Sequence, residues 1–367
     1  MDNGIKNIAV TVVFFTFIFA FMLANIILPD LDISITERRR LAAIPTYSSK
    51  KLFNGEFFEE FEKYSLDQFV LRDVFRGAKI FSVFHLFNQK DYNNIYIIGK
   101  SINKMEYPLN ENSIMNAANK LNEIYDKYLR GMNVSYSIIP DKNYYVAREN
   151  GYLSMDYGKM MDIMTSNVED IKYVDLFDLL CIEDYYNTDI HWKQERITGA
   201  ADRLLEEMGN EFRVGDMLYE KKSLYPFYGG HLGRVGFGIQ PDSLVYLTNE
   251  LLEEAVVYDY ELNERGDVYI PEKFGGTDPY DVFLSGAKPL LTIENPFYSG
   301  DKELIIFRDS FGSSIAPLLV AGYSKVTLID IRYISSNILE SYIAFSQEQD
   351  ILFLYSTLVL NNSYMLK

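Results

Sequence analysis

The sequence predicts an α/β fold in which helices flank a mostly parallel sheet, and three observations carry that expectation. Short apolar runs without an alternating polar face, such as Leu304 to Phe307, have the pattern of strands buried on both sides. Amphipathic stretches at helical spacing stand between them, giving a β-α-β-α rhythm. The composition can build a full core, since 48% of the 367 residues are hydrophobic and 24% are charged.

Residues 8–28 are apolar apart from Thr11, Thr16 and Asn25. At about 1.5 Å per residue that run spans about 31 Å, enough for the hydrocarbon core of a bilayer. An uncleaved anchor over residues 1–29 is preferred to a signal peptide, whose apolar core is shorter and ends in a small-x-small site. Met22-Leu-Ala24 is a poor one. Residues 30–56, with Pro45 and scattered charge, read as a linker or arm. An α/β domain is then expected over residues 57–367.

Apolar positions recur at helical spacing over residues 57–87, and His85 belongs to that patch as a packed or surface helix residue. Residues 94–99 read as a strand ending in a turn. Residues 112–132 read as an amphipathic helix with Asn112 or Ser113 as its cap. The strand at 134–139 ends at Pro140, Asp141 and Lys142. A strand-like stretch at 173–177 and a helix at 193–208 follow. Cys181, the one cysteine, lies in an apolar run and reads as a small core residue. No disulfide can form within the chain. The rhythm breaks over residues 209–300, read as an insertion of loops and hairpins over the site. It resumes with strands at 304–307, 325–330 and 350–355, a helix after Ser310 and a helix near 336–345.

A net charge of −17 argues against nucleic acid as partner. The 29 tyrosines offer flat faces with polar tips that suit sugar contact, although a tyrosine-rich core is the commoner reason for them.

Ser310 stands where a central strand gives way to a helix, and ligands bind beyond the carboxyl ends of such strands. Gly312 tolerates the tight turn, and Ser313 or Ser314 is expected to cap the helix. A nucleophilic serine needs a base, and the base a group that fixes its tautomer. Among His85, His191 and His231, only His191 has an aspartate two residues before it, Asp189, and in extended chain the two side chains share one side. Reading Asp189 and His191 as metal ligands fails because zinc sites collect several His or Cys, and this chain has too few.

Asp189-x-His191-Trp192 followed by Arg308-Asp-Ser-Phe311 resembles the DHHW family, which is similar to the SGNH-hydrolase-like alginate and cell-wall polysaccharide O-acetyltransferases. Residues 37–45, Asp67 with Arg72 and Asp73, residues 139–142, 227–229 with Pro241 and Asp242, and residues 330–332 resemble the same family. The Asp/His block precedes the serine, which fits the permuted order of the alginate O-acetylation proteins. Arg-Asp stands before the serine in place of Gly-Asp, and Thr-Asp-Ile-His in place of Asp-His-His.

The resemblance implies an SGNH-hydrolase-like sheet and an extracytoplasmic O-acetyltransferase. It would move acetyl through a serine ester to a cell-surface or secreted polysaccharide, with no cofactor. A membrane acyltransferase partner would deliver the acetyl group. Arg38 to Arg40 lean the other way, because positive charge beside a span favours the cytoplasmic side. In this reading Ser310 is the nucleophile, His191 the base and Asp189 its orienting carboxylate. The Ser310 N–H and Gly229 are the candidate oxyanion donors, and Arg308 either offers a cation or simply pairs with a carboxylate. Tyr228, Trp192 and Lys142 are candidates for substrate contact, and His231 is a loop residue within possible reach of the cleft. Two alternatives stay open: a non-catalytic polysaccharide-binding or assembly factor, and an acetylesterase with water as acceptor.

Overall fold

The apolar run near the N-terminus forms one 25-residue helix, α1 (Asn3–Ile27). Its stretch Gly4–Ile27 is long and apolar enough to cross a membrane, and among the described residues no side chain in its apolar stretch is buried. This computed structural model describes residues 3–34, 36–231, 233 and 239–367. Two compact units form, one on Met1–Lys90 and one on Asp91–Leu232 with Ile239–Lys367.

In the first unit, β1 (Ile33–Ser34) pairs with β2 (Arg39–Arg40), and α2 (Ser49–Asn54), α3 (Glu56–Asp67) and α4 (Arg72–Phe81) follow. Charge holds this unit together more than an apolar core does. Arg39 donates to both oxygens of Asp67 at 2.8 and 2.5 Å, and Glu37 meets Arg72 at 2.5 Å and Arg76 at 2.6 Å. The Arg39 guanidinium holds the Asp67 carboxyl down to about 2. The arm after α1 is therefore tied to two helices. Residues 57–90, assigned by sequence to the α/β domain, group with this unit instead. His85 is exposed, with its ring 4.5 Å from Phe81.

The second unit opens with a hairpin of β3 (Ile95–Ile98) and β4 (Ser101–Lys104) and with α5 (Glu111–Ile124). The cap of α5 is Asn110, whose side chain accepts from the Ser113 N–H; the sequence placed the cap two or three residues later. Next come β5 (Asn133–Ile139), α6 (Lys142–Val146), α7 (Tyr157–Asn167), β6 (Lys172–Val174) and α8 (Thr198–Glu207). The hairpin β7 (Glu220–Phe227) and β8 (Asp242–Thr248) leads through α9 (Glu250–Glu254) to β9 (Val256–Asp259), β10 (Glu264–Gly266) and β11 (Leu290–Glu294). The chain closes with β12 (Glu303–Arg308), α10 (Gly312–Leu319), β13 (Lys325–Ile329), β14 (Gln349–Ser356) and α11 (Thr357–Leu360).

Eight strands form one sheet in the order β10-β9-β11-β13-β12-β14-β5-β6. From β13 to β6 every pairing is parallel, and β11, β9 and β10 extend the other edge antiparallel. The sequence predicts a helix-flanked, mostly parallel sheet, and the observed sheet is helix-flanked and parallel over five strands, with an antiparallel edge. Part of the expected insertion, β9, β10 and β11, is sheet edge. The alternating burial of β9 suits a strand with one partly wet face, and alternation alone does not reveal which sheet a strand joins.

Strand alternation explains the unbroken apolar run of β12. Leu304 and Ile306 pack with Leu204 of α8 and Leu318 of α10, whereas Ile305 and Phe307 pack with Ile114 and Leu121 of α5. Burying each such side chain is worth roughly 2 kcal/mol. Both faces of β12 are thus covered, and its carboxyl end is held at the middle of the sheet. The stretch near 336–345 forms only a short turn of 3₁₀ helix, Ser336–Ser341. Cys181 is exposed, not core, and its thiol donates to Asp184 Oδ2 at 3.2 Å.

Candidate active site

β12 ends at Arg308, and the next residues must reverse into α10. Asp309 builds that turn. Its Oδ1 accepts the Phe311 N–H at 3.0 Å, and its Oδ2 accepts the Ser356 N–H and hydroxyl at 2.8 and 2.6 Å. The serine turn is thereby fastened to the end of the neighbouring strand β14. Gly312 is needed for a close approach, since a Cβ there would lie 2.6 Å from Arg308 Cβ. Ser310 is left half-buried on the turn, at the carboxyl end of a central strand.

The second piece is the loop between the bridged residues Tyr185 and Trp192, in which the Tyr186 N–H donates to the His191 carbonyl at 3.0 Å. Asp189 and His191 face the same way, as their spacing predicts. His191 Nδ1 lies 2.6 Å from Asp189 Oδ1, and His191 Nε2 lies 2.8 Å from Ser310 Oγ. A carboxylate only accepts, so the imidazole proton belongs on Nδ1 and the Nε2 lone pair faces the serine hydroxyl. An imidazole held so can take up the serine proton. Tyr280 stacks on its face with ring centroids 3.9 Å apart and planes 9° from parallel.

Several groups fix this loop. Lys142 Nζ, with three N–H donors, lies within hydrogen-bond distance of four backbone carbonyls, those of Ile102, Tyr186, Asn187 and Asp189, at 2.6 to 3.2 Å. Burial pushes its ammonium down to about 7, with the carboxylates of Asp189 and Asp242 acting in the opposite sense. Asp242 accepts the Asn187 and Thr188 N–H groups at 3.1 and 2.8 Å and the Thr188 hydroxyl at 2.7 Å. The Gly230 N–H donates to Asp189 Oδ2 at 2.8 Å, and the His191 N–H to Asp189 Oδ1 at 3.1 Å. Asp189 is therefore an aimed carboxylate with both oxygens engaged.

The structure brings Ser310, His191 and Asp189 together and puts several other candidates elsewhere. Arg308 is fully buried; it donates to Ser313 Oγ at 3.1 Å and lies 3.9 Å from Asp330. It braces the turn from inside the core. The Gly229 N–H donates to Thr188 Oγ1 at 2.9 Å and is already used. Trp192 is core, and its Nε1–H donates to Ser314 Oγ at 2.8 Å. Lys142 is buried among carbonyls and holds the loop instead of touching substrate. Tyr228 is half-buried next to Gly229. His231 is buried, its N–H donates to the Thr188 carbonyl at 3.1 Å, and it lines a small cleft with Lys142 and Ile190. Neither Ser313 nor Ser314 caps α10: Ser313 accepts from Arg308, and Ser314 accepts from Trp192 and from the Tyr280 hydroxyl at 2.8 Å. The Ser310 N–H, at the head of α10, meets no acceptor among the described residues. Those residues include no group of three or more His, Cys, Asp or Glu placed to hold a metal ion.

Asp242, Gly230 and Tyr280 were not singled out as site residues from sequence. All three come from residues 209–300, and only the folded chain brings them to the 185–192 loop.

Two substitutions test the frame. Lys142→Met leaves buried carbonyls without their donor and is expected to destabilise the protein by roughly 3 kcal/mol, read by urea unfolding. At Gly229 an added Cβ would lie 2.1 Å from the Thr188 carbonyl oxygen and 2.5 Å from Asp189 N. Gly229→Ala must therefore shift the backbone that carries Asp189. Displacements of about 1 Å cost about 10²-fold, so ester turnover should fall by that order although no reacting group is altered.

Comparison with known proteins agrees with the resemblance read from the motifs. Among solved structures, the fold matches a DHHW family protein from Eubacterium siraeum with a TM-score of 0.60 at 18% identity, covering 75% of this chain and 95% of that one. It matches Bacillus cereus PatB1 carrying a sulfonyl adduct with a TM-score of 0.57 at 18% identity, covering 73% and 97%. PatB1 without the adduct gives 0.55 at 16% identity, covering 72% and 96%. No protein-family model matches the chain, and no curated protein matches it.

Proposed function

We propose that the protein is an SGNH-type serine acyltransferase that moves acetyl groups to a cell-surface or secreted polysaccharide. The observation that carries this reading is the line Asp189–His191–Ser310, with contacts of 2.6 and 2.8 Å at the end of a central strand. His191 Nε2 takes the Ser310 proton while Oγ attacks the acetyl carbonyl. The Ser310 N–H and the positive end of α10 are the candidate donors to the oxyanion. The donor's leaving group departs with the proton from His191. A sugar hydroxyl then gives its proton to Nε2, attacks the acetyl-serine ester and restores Ser310.

Two further points support the reading. A protein of the same fold carries a sulfonyl adduct, and sulfonyl reagents report activated nucleophiles. An apolar helix of membrane-spanning length precedes the α/β unit, which suits an anchored enzyme with an extracytoplasmic domain, fed by a membrane acyltransferase. The aligned Asp, His and Ser favour chemistry over a purely binding role. The test is the full-length protein with 4-nitrophenyl acetate, with and without acidic or neutral glycans. Nitrophenolate release together with acetylated glycan is expected. Release with water as the sole acceptor would make the protein an acetylesterase. No turnover by folded protein would favour the assembly role.

A further inference from the structure

The turn between α3 and α4 carries apolar side chains that the first unit does not cover. Leu66, Phe69, Leu71, Val74 and Phe75 are each between 41% and 65% exposed. The opposite side of α4 is polar, since Arg72 and Arg76 pair with Glu37. Such an apolar patch is unfavourable in water unless something occupies it.

Contacts with α1 indicate the occupant. The ring of Phe21 stacks on Phe69 with centroids 5.9 Å apart and lies 5.9 Å from Phe75. The Val70 N–H donates to Asn25 Oδ1 at 2.8 Å. Between these elements runs an open, almost wholly apolar groove lined by Phe17, Ile18, Phe21, Met22, Phe69 and Phe75. Helix and turn thus present one continuous apolar surface. Asn25 stands about 3 Å, and Phe21 about 9 Å, inside the last residue of α1. Phe69 and Phe75 thus touch α1 inside its apolar stretch, whereas Glu37, Asp67 and Arg72 pair their charges away from that surface.

We propose that the α3–α4 turn is a second membrane contact, in which Phe69, Leu71 and Phe75 insert among lipid acyl chains beside α1 and a bilayer lipid fills the groove. The inference rests on reading α1 as a membrane anchor. A single helix leaves an attached unit free to swivel, whereas a wedge beside it fixes the orientation of the first unit to the bilayer plane.

The test uses full-length protein in which Cys181→Ser leaves one labelling site, Leu71→Cys or, independently, Val74→Cys, with Lys63→Cys on exposed α3 as control. Each variant is labelled with a polarity-sensitive fluorophore and reconstituted in phosphatidylcholine vesicles. Labels at positions 71 and 74 should emit at shorter wavelength than the label at 63. They should be quenched by lipids carrying a nitroxide high on the acyl chain and be protected from aqueous iodide. A chain that floats with vesicles while both labels are quenched by iodide overturns the wedge alone. Protection from iodide without quenching by lipid nitroxides, as a bound protein would produce, also overturns it. A chain that does not float with vesicles overturns both the anchor and the wedge.

Discussion

Ser310→Ala is expected to lower kcat/KM for acetyl ester turnover by about 10⁴-fold or more and to leave the fold intact. Apart from its backbone carbonyl, which receives the Ser313 N–H, Ser310 makes one side-chain hydrogen bond among the described residues, to His191 Nε2. Asp309, Gly312 and the anchoring Ser356 hold the turn without the serine hydroxyl. Removing one hydroxyl from a half-buried position costs about 1 kcal/mol, a shift of a few degrees at most in the unfolding midpoint. The signature is therefore activity lost and stability kept. Parallel ester kinetics and thermal unfolding read it. Activity retained by a folded Ser310→Ala protein would remove the nucleophile from the account.

The second large effect is expected from Asp189→Asn, about 10⁴-fold in kcat at near-native stability. The amide keeps the shape and one acceptor oxygen, so the Gly230 N–H retains a partner, and the loss of the acceptor for the His191 N–H costs about 1 kcal/mol. An amide NH₂ facing Nδ1 would, however, move the imidazole proton to Nε2, where it faces Ser310 Oγ and blocks proton uptake. Steady-state kinetics with urea unfolding separate this from collapse of the loop. Turnover near the wild-type value would mean that Asp189 only shapes the loop. Here the two readings give opposite results for one variant.

The difference between what was and was not legible in the sequence follows the range of the contacts involved. Leu304 to Phe307 announces a strand covered on both faces because that pattern is written in adjacent residues. Asp189 and His191 share a face for the same local reason. The long-range ties were hidden. Lys142, read as a candidate for substrate contact, lies among the carbonyls of a loop more than forty residues later. Spacing cannot reveal such a partner, and a lysine at a strand end is ordinarily exposed. The same holds for Asp242 beneath Thr188 and for Tyr280 on the imidazole. Arg308 could be read two ways from sequence, as an oxyanion cation or as the partner of a carboxylate, and in the fold it is buried facing the Asp330 carboxylate. Gly229 was read as an oxyanion donor, whereas its N–H donates to Thr188 Oγ1 and its missing side chain lets the two segments pack closely.

The measurement that tests the central claim most directly is peptide mapping by mass spectrometry after the full-length protein has been treated with an acetyl ester or an aryl sulfonyl fluoride. The account predicts one modified peptide, with the added group on Ser310, and loss of that modification in His191→Gln. A folded protein that stays unmodified, or that carries the group on another residue with Ser310 free, would contradict it.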